Sequence, residues 1–172
     1  MAKGVKYTIF KTKWGYFGLA ANEKGLLRTI LPCPALKITK KYLVAGLDNP
    51  KFDKNLLKSL QNRIIAYFEG KPVNFNEPLD LDNHLPFTKK VLAACKKTPS
   101  GKTTTYSQLA AMVGKSNASR AVGNALAKNP IPLIIPCHRV IRSDGSLGRF
   151  STIGGVFFKT RLLRHEKAGQ GK

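Results

Sequence analysis

The sequence predicts a two-domain α/β chain: a small N-terminal antiparallel sheet with one helix, then a mostly helical C-terminal domain. Two observations carry that prediction. Short apolar runs punctuated by turn residues fill the first 31 positions, and amphipathic helical spacing dominates after residue 87. The length, 172 residues with 42% hydrophobic, supplies one sizeable core or two small ones and no more. The stretch 71–83, with Pro72 and Pro78, suits an extended crossover, so the expected domains are 1–82 and 83–172.

Residues 5–11, 16–21 and 26–31 read as an antiparallel meander, because Trp14-Gly15 and Asn22-Glu23-Lys24-Gly25 supply the turns. Pro32 and Pro34 bracket Cys33 and are expected to end the third strand. The Lys-rich stretch from there to Asn49 has no clear pattern and reads as solvated surface. From Phe52 onward, Leu56, Leu60, Ile64 and Phe68 keep i, i+4 spacing while Lys54, Lys58 and Arg63 take other faces, which predicts an amphipathic helix stopped at Gly70.

In the second half, Phe87, Val91 and Cys95 share one stripe behind Pro86 at the first helical position, and Pro99-Ser100-Gly101 ends the pattern. Cys95 is expected as a small core residue. Thr105-Tyr106-Ser107-Gln108 has the form of a capping box before a short helix that ends at Gly114. A second helix over 118–128 follows, with Ser116 or Asn117 as its cap and Asn129-Pro130 as its stop. Two short helices about a Gly-containing turn have the form of a helix-turn-helix, winged-helix-like. Ala118, Ala121, Gly123 and Ala125 leave the second helix open to close approach by another helix or by nucleic acid.

Charge narrows the function. Thirty Lys and Arg against nine Asp and Glu give +21, which points to a polyanionic partner. No window approaches the ~20 apolar residues of a membrane span. Residues 1–9 are too short and interrupted for a secretory signal, so an intracellular protein is expected. Cys33, Cys95 and Cys137 cannot all pair and are expected as free thiols.

The sharpest feature is the apolar run 131–141, IPLIIPCHRVI, which sets Cys137, His138 and Arg139 inside a core. A buried cysteine is commonly just packing. Its neighbour His138, however, can help take the thiol proton and leave the nucleophilic thiolate. Adjacent side chains of an extended chain point to opposite faces, so a bridging water is expected between them rather than a direct bond. In the last helix, beyond Gly154-Gly155, Leu162, Leu163 and Glu166 share a face. That sets a carboxylate beside the core near a helix C-terminus, where negative charge is disfavoured. His138 is the candidate partner, and a solvated Glu166 the alternative.

Pro136-Cys137-His138-Arg139-Val140, Ser143-Asp144-Gly145-Ser146-Leu147-Gly148 and Leu162-Leu163-Arg164-His165-Glu166 together resemble the O6-alkylguanine-DNA alkyltransferases (methylated-DNA--protein-cysteine methyltransferases). Arg120-Ala121-Val122-Gly123, Asn129-Pro130, Tyr106-Ser107-Gln108-Leu109-Ala110 and Tyr67-Phe68-Glu69-Gly70-Lys71 match as well. The likeness is loose up to about residue 60 and close over 87–166. It implies a single-turnover repair reaction in which Cys137 takes the alkyl group from guanine O6 in duplex DNA. It further implies that His138 relays the Cys137 proton through water, Glu166 orients His138, Asn129 organises the active-site turn, and Tyr106 gives a proton to the departing base. Extrusion of the target base is a mechanical requirement of reaching a buried cysteine. Arg120 matches the arginine that fills the vacated stack, and Ser107, Gly123, Lys128, Val140 and Ser151 match positions that bind DNA or the flipped guanine. No cofactor is expected, the partner is double-stranded DNA carrying O6-alkylguanine with O4-alkylthymine as a further candidate, and the protein is expected as a cytoplasmic monomer (nuclear in a eukaryote).

The chain departs from the family at 150–155, Phe-Ser-Thr-Ile-Gly-Gly, where a longer approach to the glycine pair bears on pocket width. Members with zinc use Cys and His in the first domain. Here only Cys33 and His84 are candidates, half the usual ligand set, so no metal is expected. Three rivals remain: a non-enzymatic lesion binder, which would lack the acceptor cysteine; a Cys/His hydrolase, which leaves +21 unexplained; and a basic structural DNA-binding protein, which would leave Cys137 unmodified.

Overall fold

The computed structural model describes residues 4–169, which divide between 81 and 82 into two compact units, residues 4–81 and 82–169. In the first, β1 (Lys6–Thr12), β2 (Gly15–Asn22) and β3 (Gly25–Cys33) form the antiparallel meander. β3 runs through Pro32, contrary to the expected stop. It lies at the edge of the sheet, order β3-β2-β1-β4, where a missing N–H costs no ladder bond.

Two further corrections concern the basic stretch. It contains a helix, α1 (Leu36–Val44), whose buried Thr39 and Leu43 lie one turn apart against the sheet. Gly18 of β2 makes room for it: a Cβ there would stand 2.9 Å from Leu43 Cδ2. Arg28 closes the far end, its Nη1 donating to Leu43 O at 2.9 Å and Ala45 O at 2.6 Å. After it, β4 (Lys51–Phe52) adds a short parallel edge beside β1. The amphipathic helix α2 starts later than expected, at Lys58–Phe68, because Leu57 sits in the left-handed region at φ 49°. Leu60, Ile64 and Phe68 are buried on one face of α2, and Phe68 packs on Trp14 and Phe17.

The second unit is built on α3 (Pro86–Lys96), α4 (Tyr106–Met112), α5 (Ser119–Ala127) and α6 (Gly155–Gly169). Pro86 opens α3, and Cys95 is fully buried. The Thr105/Gln108 capping box opens α4 with both reciprocal bonds made. α5 begins without a side-chain cap, so neither Ser116 nor Asn117 has the expected role; its N-cap is Ala118. A two-strand parallel pair, β5 (Thr104–Thr105) with β6 (Val140–Ile141), docks the start of α4 beside the residues that follow Cys137. No helix among the described residues is long and apolar enough to cross a membrane.

Candidate active site

Residues 131–136 are all buried, as the apolar run implies, but the chain there is not an extended strand. Leu133 adopts φ 79°, and Cys137–Arg139 form a single 3-10 turn. Asn129 closes the loop: its Nδ2 donates to Ile135 O at 2.9 Å and to Cys137 Sγ at 3.1 Å, while its Oδ1 accepts from Ile131 N at 3.0 Å. One side chain thus fixes the loop and reaches the thiol.

Behind the turn lies a buried ionic cluster. His138 Nε2 and Glu166 Oε1 are 2.8 Å apart, and both side chains are fully buried. Arg139 grips the same carboxylate with two nitrogens, Nε to Oε2 at 2.9 Å and Nη2 to Oε1 at 2.8 Å, and donates Nη1 to Thr98 O at 2.6 Å. Gly101 N adds a fourth donor to Oε2 at 3.1 Å. Burial alone would raise the Glu166 carboxyl, yet these donors hold it well below the usual carboxylate range. A carboxylate there accepts from Nε2–H, which leaves Nδ1 with the lone pair. Nδ1 is buried and has no hydrogen-bond partner among the described residues. Burial also pushes the imidazole pKa down, so the ring is neutral at pH 7.

Lys159 completes the centre. It is fully buried, with Nζ donating to Val140 O at 2.6 Å and to Leu147 O. Desolvation lowers its pKa to about 8, against the pull of the nearby Cys137 and Cys95 thiols. Desolvation likewise raises the Cys137 thiol, opposed by the Asn129 hydrogen bond and the Lys159 charge. The thiol is therefore protonated at rest and needs a base to become a nucleophile.

In front of Cys137 opens a cavity of about 780 Å3. Tyr106, Ser107, Arg120, Gly123, Asn129 and Ser151 of the expected set line it with Cys137. Tyr106 stands between Gly123 and Gly148; a Cβ at Gly148, where φ is +68°, would lie 2.8 Å from the phenol oxygen. Burial pushes the Tyr106 phenol up, which keeps its O–H as a donor. Ser107 Oγ bonds Ser143 Oγ at 3.1 Å. Val140 and Lys128 fall outside the lining: Val140 is buried with its carbonyl on Lys159, and Lys128 is the exposed residue that ends α5. Among the described residues no three His, Cys, Asp or Glu side chains group as metal ligands.

Arg139 and Lys159 lie outside the set expected from the sequence. A signal for Lys159 exists: with Leu162 and Glu166 it falls at i, i+3, i+7, one helical face, beside a core.

Comparison with known proteins gives the same picture from both ends of the chain. The family model described as 6-O-methylguanine DNA methyltransferase, ribonuclease-like domain, matches residues 5–81, and the one described as its DNA binding domain matches residues 86–168. A methylated-DNA--protein-cysteine methyltransferase of Saccharolobus islandicus (strain L.S.2.15 / Lassen #1) is 38% identical over 160 residues, 93% of this chain and 94% of that one. A namesake from Methanosarcina barkeri is 38% identical over 163 residues, 94% of this chain and 96% of its own. Mycobacterium tuberculosis OGT, solved in complex with DNA, superposes with a TM-score of 0.79 at 29% identity, covering 95% of this chain and 94% of that chain. Matched in both units and over nearly its whole length, this chain belongs to the 6-O-methylguanine DNA methyltransferase family, the methylated-DNA--protein-cysteine methyltransferases.

Proposed function

We propose that this protein repairs DNA by moving the alkyl group of O6-alkylguanine in a duplex onto Cys137, once per molecule and irreversibly. The observation that carries the reading is the His138 ring: Glu166 takes its Nε2–H, so Nδ1 faces the buried interior as a base, one residue from a thiol that desolvation keeps protonated. A water bridging Sγ and Nδ1 passes the thiol proton to His138, while Lys159 and Asn129 favour the thiolate. Sulfur then bonds to the alkyl carbon as the carbon–O6 bond breaks, and the electron pair leaves with guanine. Tyr106, still protonated, donates to the departing base. The proton held on His138 restores the Tyr106 phenol through solvent, so the net transfer is that of the Cys137 proton to guanine, and no cofactor enters the balance.

Reaching Cys137 requires the nucleotide to leave the stack. Arg120 enters the vacated space from α5, with α4 and α5 acting as a helix-turn-helix and Ser107, Gly123, Lys128, Val140 and Ser151 contributing to the grip on DNA or the flipped base. Residues 83–172 form the DNA-binding, alkyl-accepting domain and residues 1–82 a supporting α/β domain. The protein acts as a monomer, in the cytoplasm or, in a eukaryote, the nucleus.

Intact-mass and peptide mass spectrometry after mixing with duplex DNA bearing O6-methylguanine tests this. One methyl group on the Cys137 peptide, saturating at one per protein and lost in Cys137→Ala, is the expected result. An unchanged mass with the DNA still bound would replace repair by lesion recognition.

A further inference from the structure

We propose that Arg142 and Arg149 form a second cationic jaw, facing Arg120 across the cavity, that grips the two phosphates flanking the extruded nucleotide. This rests on the reading of the cavity as the receptor for a flipped guanine. All three arginines line the cavity and all are exposed, Arg120 on α5 and the other two at the ends of the connection 142–149.

Their charge is uncommitted. Neither the Arg142 nor the Arg149 guanidinium makes a hydrogen bond or ion pair among the described residues; Arg142 lies in the field of Asp144, Tyr106 and Lys159. No acidic residue occurs between Asp82 and Asp144, and after Asp144 the next is Glu166, buried and already accepting from four donors. Asp144 itself is occupied with Ser146, accepting from its N at 2.9 Å and its Oγ at 2.7 Å.

The backbone of Arg142 is nevertheless held in place. Its N donates to Ser146 O at 2.8 Å, its carbonyl accepts from Gly145 N at 3.0 Å, and the next residue, Ser143, is pinned to Ser107 at the start of α4. An unpaired guanidinium carried on a fixed backbone beside a nucleotide-sized opening is suited to bidentate phosphate binding. Extrusion supplies the need: rotating a nucleotide about its backbone draws its 5′ and 3′ phosphates to the mouth of the receiving pocket. Two crowded anions there oppose flipping unless cations meet them.

The test compares wild type, Arg142→Ala, Arg149→Ala and the double variant in two measurements on O6-methylguanine duplex DNA across a salt series: Cys137 methylation rate and equilibrium binding. Each single variant is expected to react roughly tenfold more slowly, as for loss of a charge-assisted contact. The slope of log affinity against log salt should flatten by roughly 0.9 per arginine removed. Iodoacetamide labelling of Cys137, read at the peptide level, should stay within about twofold, since the thiol environment is untouched. Unchanged salt slopes overturn the jaw, and so does an equal loss of iodoacetamide labelling, which would mean a damaged pocket. If wild type binds the duplex without becoming methylated, the proposed repair reaction falls while the salt slopes still decide the jaw.

Discussion

The two units bury different things. Among the described residues of the first unit, the buried polar side chains are neutral: Thr8, Thr12, Thr29, Thr39 and Gln61. Among those of the second unit they include His138, Arg139, Lys159 and Glu166, every buried charged or ionisable polar side chain of the described residues apart from cysteines and tyrosines. A charge in a low-dielectric interior costs several kcal/mol unless it is paired, and replacing such groups by packed apolar residues is often neutral or stabilising. Stability therefore gives no reason for the second unit to carry four of them around one turn. The proposed chemistry does: burial keeps His138 neutral, Glu166 turns its basic nitrogen inward, and Lys159 sets a cation near Cys137.

The largest effect expected from this contrast separates stability from chemistry. Glu166→Gln places an amide N–H against donors from His138, Arg139 and Gly101, and should cost roughly 3–5 kcal/mol of stability in the second unit. It should also slow methyl transfer by about 10²-fold or more, as when a general base loses its orientation. Leu19→Ala, at a fully buried position of β2, should cost a comparable amount, roughly 2–5 kcal/mol. Its transfer rate per folded molecule should stay at the wild-type value. Denaturant melts paired with single-turnover mass spectrometry check both, and an unimpaired rate in Glu166→Gln would reduce the cluster to a structural feature.

The same contrast explains what was legible in the sequence. The meander was readable because alternation and Gly or Asn turns are local signals. α1 was not: its residues are Lys-rich and β-branched, it has no side-chain cap, and only the sheet beneath it selects the face with Thr39 and Leu43. β4, two residues long, exists only through its pairing with β1. In the site, Cys137, His138 and Glu166 were readable from residue type and helical spacing, together with a family likeness. The reach of Asn129 to Sγ was not, because it depends on the left-handed Leu133 and the loop it folds. Arg139 hides in the motif for the opposite reason. A basic residue in a basic chain draws no notice until its carboxylate is known.

A smaller effect is expected at the cavity mouth. If Arg120 fills the vacated stack, Arg120→Ala should slow reaction with duplex O6-methylguanine DNA roughly 10- to 100-fold, since an unstacking cost of a few kcal/mol goes unmet. Reaction with a free O6-alkylguanine base needs no extrusion and should hardly change. Single-turnover rates on the two substrates decide the matter, and equal losses on both would remove the wedge role. On the proposed mechanism the second unit itself divides: the buried cluster would govern the bond-making step, and the rim access to it.

The smallest effect is a difference in acid response between the units. Glu166 has a folded pKa held below its unfolded value of about 4.3, so its stabilisation is complete above that pH and drains away as pH falls below it. His138 is also depressed, but as a base: between its folded value and about 6.5 the unfolded chain binds a proton that the folded chain refuses. Both signs agree, so the second unit should begin to lose stability below about pH 6.5 and lose it faster below about pH 4.3. In the first unit the Asp53 carboxyl is held low by the Lys6 ammonium 3.1 Å away, a partly exposed surface pair that solvent screening leaves with little to lose. Hydrogen exchange across a pH series, corrected for intrinsic rates, should therefore show protection falling first around residues 137–140 and 162–166 while β1–β3 hold. Simultaneous loss in both units would mean that the buried charges are not what sets the acid limit.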